Sequence, residues 1–252
     1  MVYNPTHLFG LLSVFNPDAI KNVELTKGGF PARYGGRLSS VLDISMREGS
    51  LEKKKTDISI GLITSRIHLE RPIIKNKLSV MLSARAAYLD LLLIPINLIA
   101  NDRPGYKETI TYRMYDVNAK LHYKINEKNS LFLSFYNGRD RLLGHNEDPS
   151  IKNESDFGWG NSTLSLRHNN LISPKLFWRN MLTYSRFELR AQIDNNVKSF
   201  GYETTYKNIS GLEDVSLKSA IDFYPDSKHQ IKAGVEHIFH FFNPQTRLFY
   251  VE

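Results

Sequence analysis

Nine consecutive residues, Val117 to Ile125, alternate without a break. Val117, Ala119, Leu121, Tyr123 and Ile125 are apolar, and Asn118, Lys120, His122 and Lys124 between them are polar. A period of two puts every second side chain on the same face of an extended strand, whereas helical spacing would scatter these residues around a cylinder. The pattern returns as Leu78, Val80, Leu82, Ala84 and Ala86 against Ser79, Ser83 and Arg85. Farther along, Val215, Leu217, Ile221 and Phe223 alternate with Asp214, Ser216, Lys218 and Asp222, and Ile231, Ala233, Val235 and Phe239 with Gln230, Lys232 and Glu236. Less regular candidates are 57–69, 130–136, 160–170 and 176–189. From about residue 56 onward the chain therefore reads as all-β.

The connections differ in length. Short polar turns fall at 71–76, 126–129, 172–175 and 225–228, and longer segments rich in Gly, Asn, Asp and Pro at 87–111, 137–159 and 190–211. Short turns at one end and long loops at the other predict an antiparallel up-and-down array of the outer-membrane barrel kind. Tyr112, Tyr115, Tyr123, Phe135, Tyr136, Trp159, Trp178 and Tyr184 fall near the expected strand ends, where a barrel wall places its interfacial aromatics.

Other classes find little support. The longest apolar stretch, Tyr88 to Ala100, is interrupted by Asp90, Pro95 and Asn97 and is shorter than the roughly 20 residues of a spanning helix. The net charge of +7 is spread along the chain, with only Lys53 to Lys55 forming a compact run, and that run reads as a solvated turn. There is no cysteine, so no disulfide or thiolate metal site exists, and an oxidising compartment is compatible. Gly28-Gly29 and Gly35-Gly36 match neither dinucleotide nor P-loop spacing. His237 and His240, three apart on a strand, point to opposite faces and cannot converge on one metal. No nucleophile elbow, zinc helix or carboxylate pair stands out, so neither an enzyme nor a cofactor is expected. The segment from Met1 to Pro5 has neither a charged n-region nor an apolar h-region, so a signal peptide is absent from this chain. Any export signal would lie upstream of a fragment.

The first fifty residues differ in kind. They hold two short apolar strands, Ile20 to Leu25 and Ser40 to Ile44, around a glycine-rich turn, and end at a polar linker, 51–55. The run from Asn16 to Ile44 closely resembles the C-terminal part of the plug of TonB-dependent receptors. The strand and turn Ile20 to Gly28, the small-residue segment Ala32 to Gly36 with its Tyr34-Gly35, and the strand Ser40 to Ile44 carry that resemblance. Gly28-Gly29-Phe30-Pro31 and Leu38 to Ile44 depart from the commonest pattern, toward the branch that includes oligosaccharide and other large-nutrient importers. Ser134 to Asp140 and Trp159-Gly160-Asn161 also resemble stretches of that branch's barrels.

The resemblance implies an architecture: residues 1–50 as the C-terminal part of a small α/β plug, and 56–252 as about eight strands of a 22-stranded transmembrane barrel. It implies a function too, TonB-energised uptake of a nutrient such as an oligosaccharide, siderophore or peptide, in the outer membrane of a Gram-negative bacterium. Its partners would be outer-membrane lipid, the TonB complex through a motif missing from this chain, and in some members a surface lipoprotein lid. The substrate site stays unassigned. In the family, charged residues of the plug region seat it against the barrel wall. Glu24, Lys27, Arg33 and Arg37, with Gly28, Gly29, Tyr34, Gly35 and Gly36, are the candidates here, against the alternative of ordinary solvated charges. Two rivals remain open: a passive or structural eight-stranded barrel, and a soluble basic β-protein that binds nucleic acid.

Overall fold

The computed structural model describes the chain except residues 1, 8, 9, 30, 35–39, 103, 199, 200 and 252. Two short ladders come first: β1 (Thr6–His7) with β2 (Leu12–Ser13), then β3 (Ile20–Lys27) with β4 (Ser40–Met46), separated by a 3-10 turn at Pro17–Ala19. Asn16 caps that turn by accepting a hydrogen bond from the Asp18 amide, a role its short amide side chain suits.

One large sheet follows. It runs through β5 (Lys55–Ile60), β6 (Thr64–Ile74), β7 (Leu78–Tyr88), β8 (Lys107–Lys124), β9 (Asn129–Glu147), β10 (Ile151–Ser173), β11 (Leu176–Val197), β12 (Tyr202–Phe223) and β13 (Ile231–Val251), each paired antiparallel with its chain neighbour. The sheet therefore has nine strands where about eight are expected, because the single irregular candidate at 57–69 is two strands joined at Gly61 to Ile63. At the tight turn between β6 and β7, Asn76 takes the left-handed conformation (φ 58°), which asparagine tolerates better than most residues.

Among the described residues β5 and β13 are the two edges and do not pair with each other, so the sheet is open. Among the described residues no compact α/β domain stands before it, only the two ladders and the turn.

The expected asymmetry of turns and loops is also corrected. The segments 137–159 and 190–211 are largely strand and not loops: β9 to β12 run for 19, 23, 22 and 22 residues, reversing between Glu147 and Ile151 and between Val197 and Tyr202. At about 3.4 Å per residue such strands exceed 60 Å. Glycine and asparagine suggested loops there, but a ladder keeps polar residues extended when cross-strand partners satisfy them. Arg141 meets Asp156 at 2.8 Å, and Lys198 meets Glu147 at 2.7 Å. Only 87–111 contains a true excursion, and most of that is a helix, α1 (Asp90–Ala100).

Candidate functional site

The pairing registers place side chains in rows across the sheet. Leu121, Leu133, Leu166, Leu182 and Leu217 lie directly opposite one another from β8 to β12, and all are 39–59% exposed. One residue along, the other face carries Lys120, Ser134, Ser165, Thr183 and Ser216. The next exposed row is Ala119, Phe135, Leu164, Tyr184 and Val215, and the next covered row Asn118, Tyr136, Thr163, Ser185 and Asp214. This inverts the usual arrangement of a water-soluble sheet, whose apolar face is the covered one.

What covers the polar face is the chain's own N-terminal segment, laid across the strands. Tyr3 donates its hydroxyl to Asp214 on β12, and the Asn161 amide of β10 donates to the Asn4 carbonyl at 2.9 Å. His7 Nδ1 lies 2.5 Å from Asp140 on β9, whose other oxygen accepts the Tyr112 hydroxyl of β8. Arg85 on β7 donates to Asp116 and to the Ser13 carbonyl, both at 2.6 Å, and Asn16 donates to Ser83 at 3.0 Å. Asp18 pairs with Arg66 of β6 at 3.2 Å. His7, Asn16, Ser83, Asp116 and Asp140 are nearly inaccessible to solvent, where charge is tolerated only when paired and hydrogen-bonded.

The two barrel-like stretches noted in the sequence meet here. Gly138 stands opposite Asn161, Arg139 opposite Gly160, and Asp140 opposite Trp159. A Cβ on Gly160 would fall 2.2 Å from the Gly138 carbonyl oxygen. One on Gly138 would meet the Tyr136 hydroxyl and approach the His7 ring. Both glycines are needed for close approach.

The chain returns to the polar face after β4. Glu48 meets Arg167 at 2.7 Å and Lys120 at 3.9 Å. Both cations lie over the Phe132 ring, Arg167 at 4.2 Å and Lys120 at 5.5 Å. Lys120 also donates to the Met46 carbonyl.

The charged residues singled out from the sequence sit elsewhere. Glu24 and Arg33 face each other at 3.7 Å, both about half exposed, at the far end of the β3–β4 hairpin. Arg33 stacks on Tyr34 at 4.6 Å, and the Tyr34 hydroxyl donates to Asp43 at 2.8 Å. Partial burial, and then that carboxylate, push the Tyr34 phenol above its ordinary range. Gly28 (φ 66°) and Gly29 (φ 33°) make the turn after β3 and are exposed, as is Lys27. Gly35, Gly36 and Arg37 lie outside the described residues. The contacts to the sheet are made instead by Tyr3, Asn4, His7, Ser13, Asn16, Asp18 and Glu48. Their partners are up to 211 residues away in the chain, and no local spacing signals them.

Among the described residues no group of three or more His, Cys, Asp or Glu could hold a metal ion. His240 faces Asp214 at 2.6 Å, while His237 stacks edge-on against Phe239 at 4.3 Å. An open cavity of about 650 Å³ between the segment that follows α1, the start of β8 and β9 is lined by residues including Asn101, Asp102, Tyr106, Lys107, Thr109 and His145. Compared with the known protein families, with curated proteins and with solved structures, the chain matches none.

Proposed function

We propose that this chain supplies wall strands and part of the plug of a TonB-dependent receptor in the outer membrane, serving energised uptake of a nutrient. The observation that carries the proposal is the inverted sheet: rows of leucine and aromatic residues face outward, and rows of serine, threonine, asparagine and charge face inward. Hydrocarbon satisfies the first face and a polar lumen the second. A spanning strand needs about 9–11 residues. In this reading the apolar rows cross the bilayer and the upper halves of β9 to β12, whose outward face carries Arg141, Asp156, Gln192 and Lys207, stand above it. The open edges at β5 and β13 fit a wall completed by further strands.

The segment that crosses the polar face would act as the part of the plug that moves. Its contacts to β12, β10, β9, β7 and β6 follow one another along the chain. A pull on that segment would break them in turn instead of all together.

Refolding the chain in the presence of phosphatidylcholine vesicles tests the proposal. Co-flotation with lipid and resistance to alkaline extraction are expected. A chain that stays soluble without detergent, and binds oligonucleotide with a steep salt dependence, would overturn it.

A further inference from the structure

His7 stands where the N-terminal strap, the segment laid across the polar face, passes over β8 and β9, and both of its ring nitrogens face carboxylates. Nδ1 lies 2.5 Å from Asp140 and Nε2 lies 3.9 Å from Asp116. Asp116 is also held by Arg85 of β7 at 2.6 Å, and Asp140 accepts the Tyr112 hydroxyl. The Tyr136 hydroxyl lies over Gly138, beside the His7 ring: a Cβ on that glycine would meet the hydroxyl and stand 3.3 Å from the ring. Among the described residues these are the titratable and charged groups that face His7 from the three strands. His7 and both aspartates are almost wholly enclosed.

Two features make this contact depend on a proton. A neutral imidazole has a single N–H. Directed at Asp140, it leaves a lone pair on Nε2 turned toward Asp116, and Nε2 has no hydrogen-bond partner among the described residues. The second feature is the charge count. Arg85 and the two aspartates leave the site at −1 with a neutral ring and at zero with an imidazolium. Burial opposes an isolated charge, but taking the proton away does not clear this site of charge. It leaves one carboxylate enclosed without a cation. We infer that His7 is a proton-operated latch: in acid the imidazolium clamps the strap between Asp140 and Asp116, and loss of the proton loosens the strap from the wall. Histidine is the side chain whose charge ordinarily changes between about pH 5 and pH 8. The inference needs only the strap and the sheet, so it stands whether or not the outer face meets lipid.

Because the chain lacks cysteine, a pair of spin labels can be set at Leu11→Cys, exposed between β1 and β2, and at Leu182→Cys, exposed on the sheet. Distances between them are measured by pulsed dipolar spectroscopy on the full chain in detergent micelles, at about pH 5.5 and about pH 8. The inference expects one narrow distance at the lower pH, and a second, broader population that grows severalfold at the higher. His7→Gln, which cannot gain charge, should give the same distribution at both. His240→Gln is the control, since His240 faces Asp214, the acceptor of Tyr3, and it should leave the response intact. Asp140→Asn moves the count to +1 with an imidazolium and to zero with a neutral ring, so its strap should loosen in acid instead. An unchanged distribution in the parent chain, a response that survives His7→Gln, or an Asp140→Asn response of the parent's sign overturns the latch. A response abolished by His240→Gln also overturns it, because the switch would then sit on β13.

Discussion

At the scale of single residues, face decides cost. Leu182 and Thr183 are adjacent, but Leu182 lies in the exposed leucine row and Thr183 in the covered polar row. In vesicles, Leu182→Arg should lower unfolding free energy by about 2–4 kcal/mol if it sits near mid-bilayer. Thr183→Arg should cost a fraction of that, chiefly its hydrogen bond to Ser165. Equal losses in denaturant titrations would show that the faces are misassigned. Glu48 is the second informative position, because it is shared by two cations that crowd one ring. A double-mutant cycle of Glu48→Gln and Arg167→Gln should return a coupling of about 1 kcal/mol, kept modest because both side chains remain about a third in contact with solvent. A coupling of zero would mean that the Glu48–Arg167 pair does not help to hold the return of the chain after β4.

At the scale of elements, the β3–β4 hairpin and the strap before it separate in stability. Val23, Leu25 and Leu42 are about half exposed, and the ladder pairs with nothing else. Hydrogen exchange should open it first, well before β8 to β11, with residues 12–19 intermediate because Asn16 and Ser13 are tied to β7. Protection of Val23 to Leu25 equal to that of β9 would show an autonomous unit instead. The elements also show what could be read in advance. Strands with one apolar face announced themselves through alternation, and the short turns followed from them. The upper halves of β9 to β12 did not, because Gly, Asn and charged residues break their alternation and their partners lie on neighbouring strands. Helix α1 was hidden for a related reason: Asp90, Pro95 and Asn97 looked like interruptions, although Asp90, Asn97 and Asn101 fall on one helical stripe. The His7–Asp140 and Asn16–Ser83 contacts left no local pattern, since they arise only when a segment from one end of the chain is laid over the sheet.

At the scale of the whole molecule, the open edges dominate. β13 presents 21 residues of strand with no neighbour beyond it among the described residues, and an unprotected edge of that length is a template for further pairing. The isolated chain in detergent micelles should therefore self-associate, read as a sedimentation mass above that of one chain. A monodisperse monomer that forms discrete conductance steps would indicate that β5 and β13 close on each other, and the small passive barrel would replace the larger assembly.

The rows of leucine have a consequence for how such a wall comes to be aligned. A slip of one residue between strands turns every side chain to the other face. In the upper halves of β9 to β12 that error disturbs the small cluster of Leu142, Phe157, Trp159 and Phe187 but moves no side chain into or out of hydrocarbon. In the lower halves it would put leucine into the lumen and serine into hydrocarbon. The tight reversal near Pro174 and Lys175 lies at this discriminating end, so alignment can be set there first and carried upward as the hairpin zips. The tall polar palisade would then owe its order to a belt it never touches.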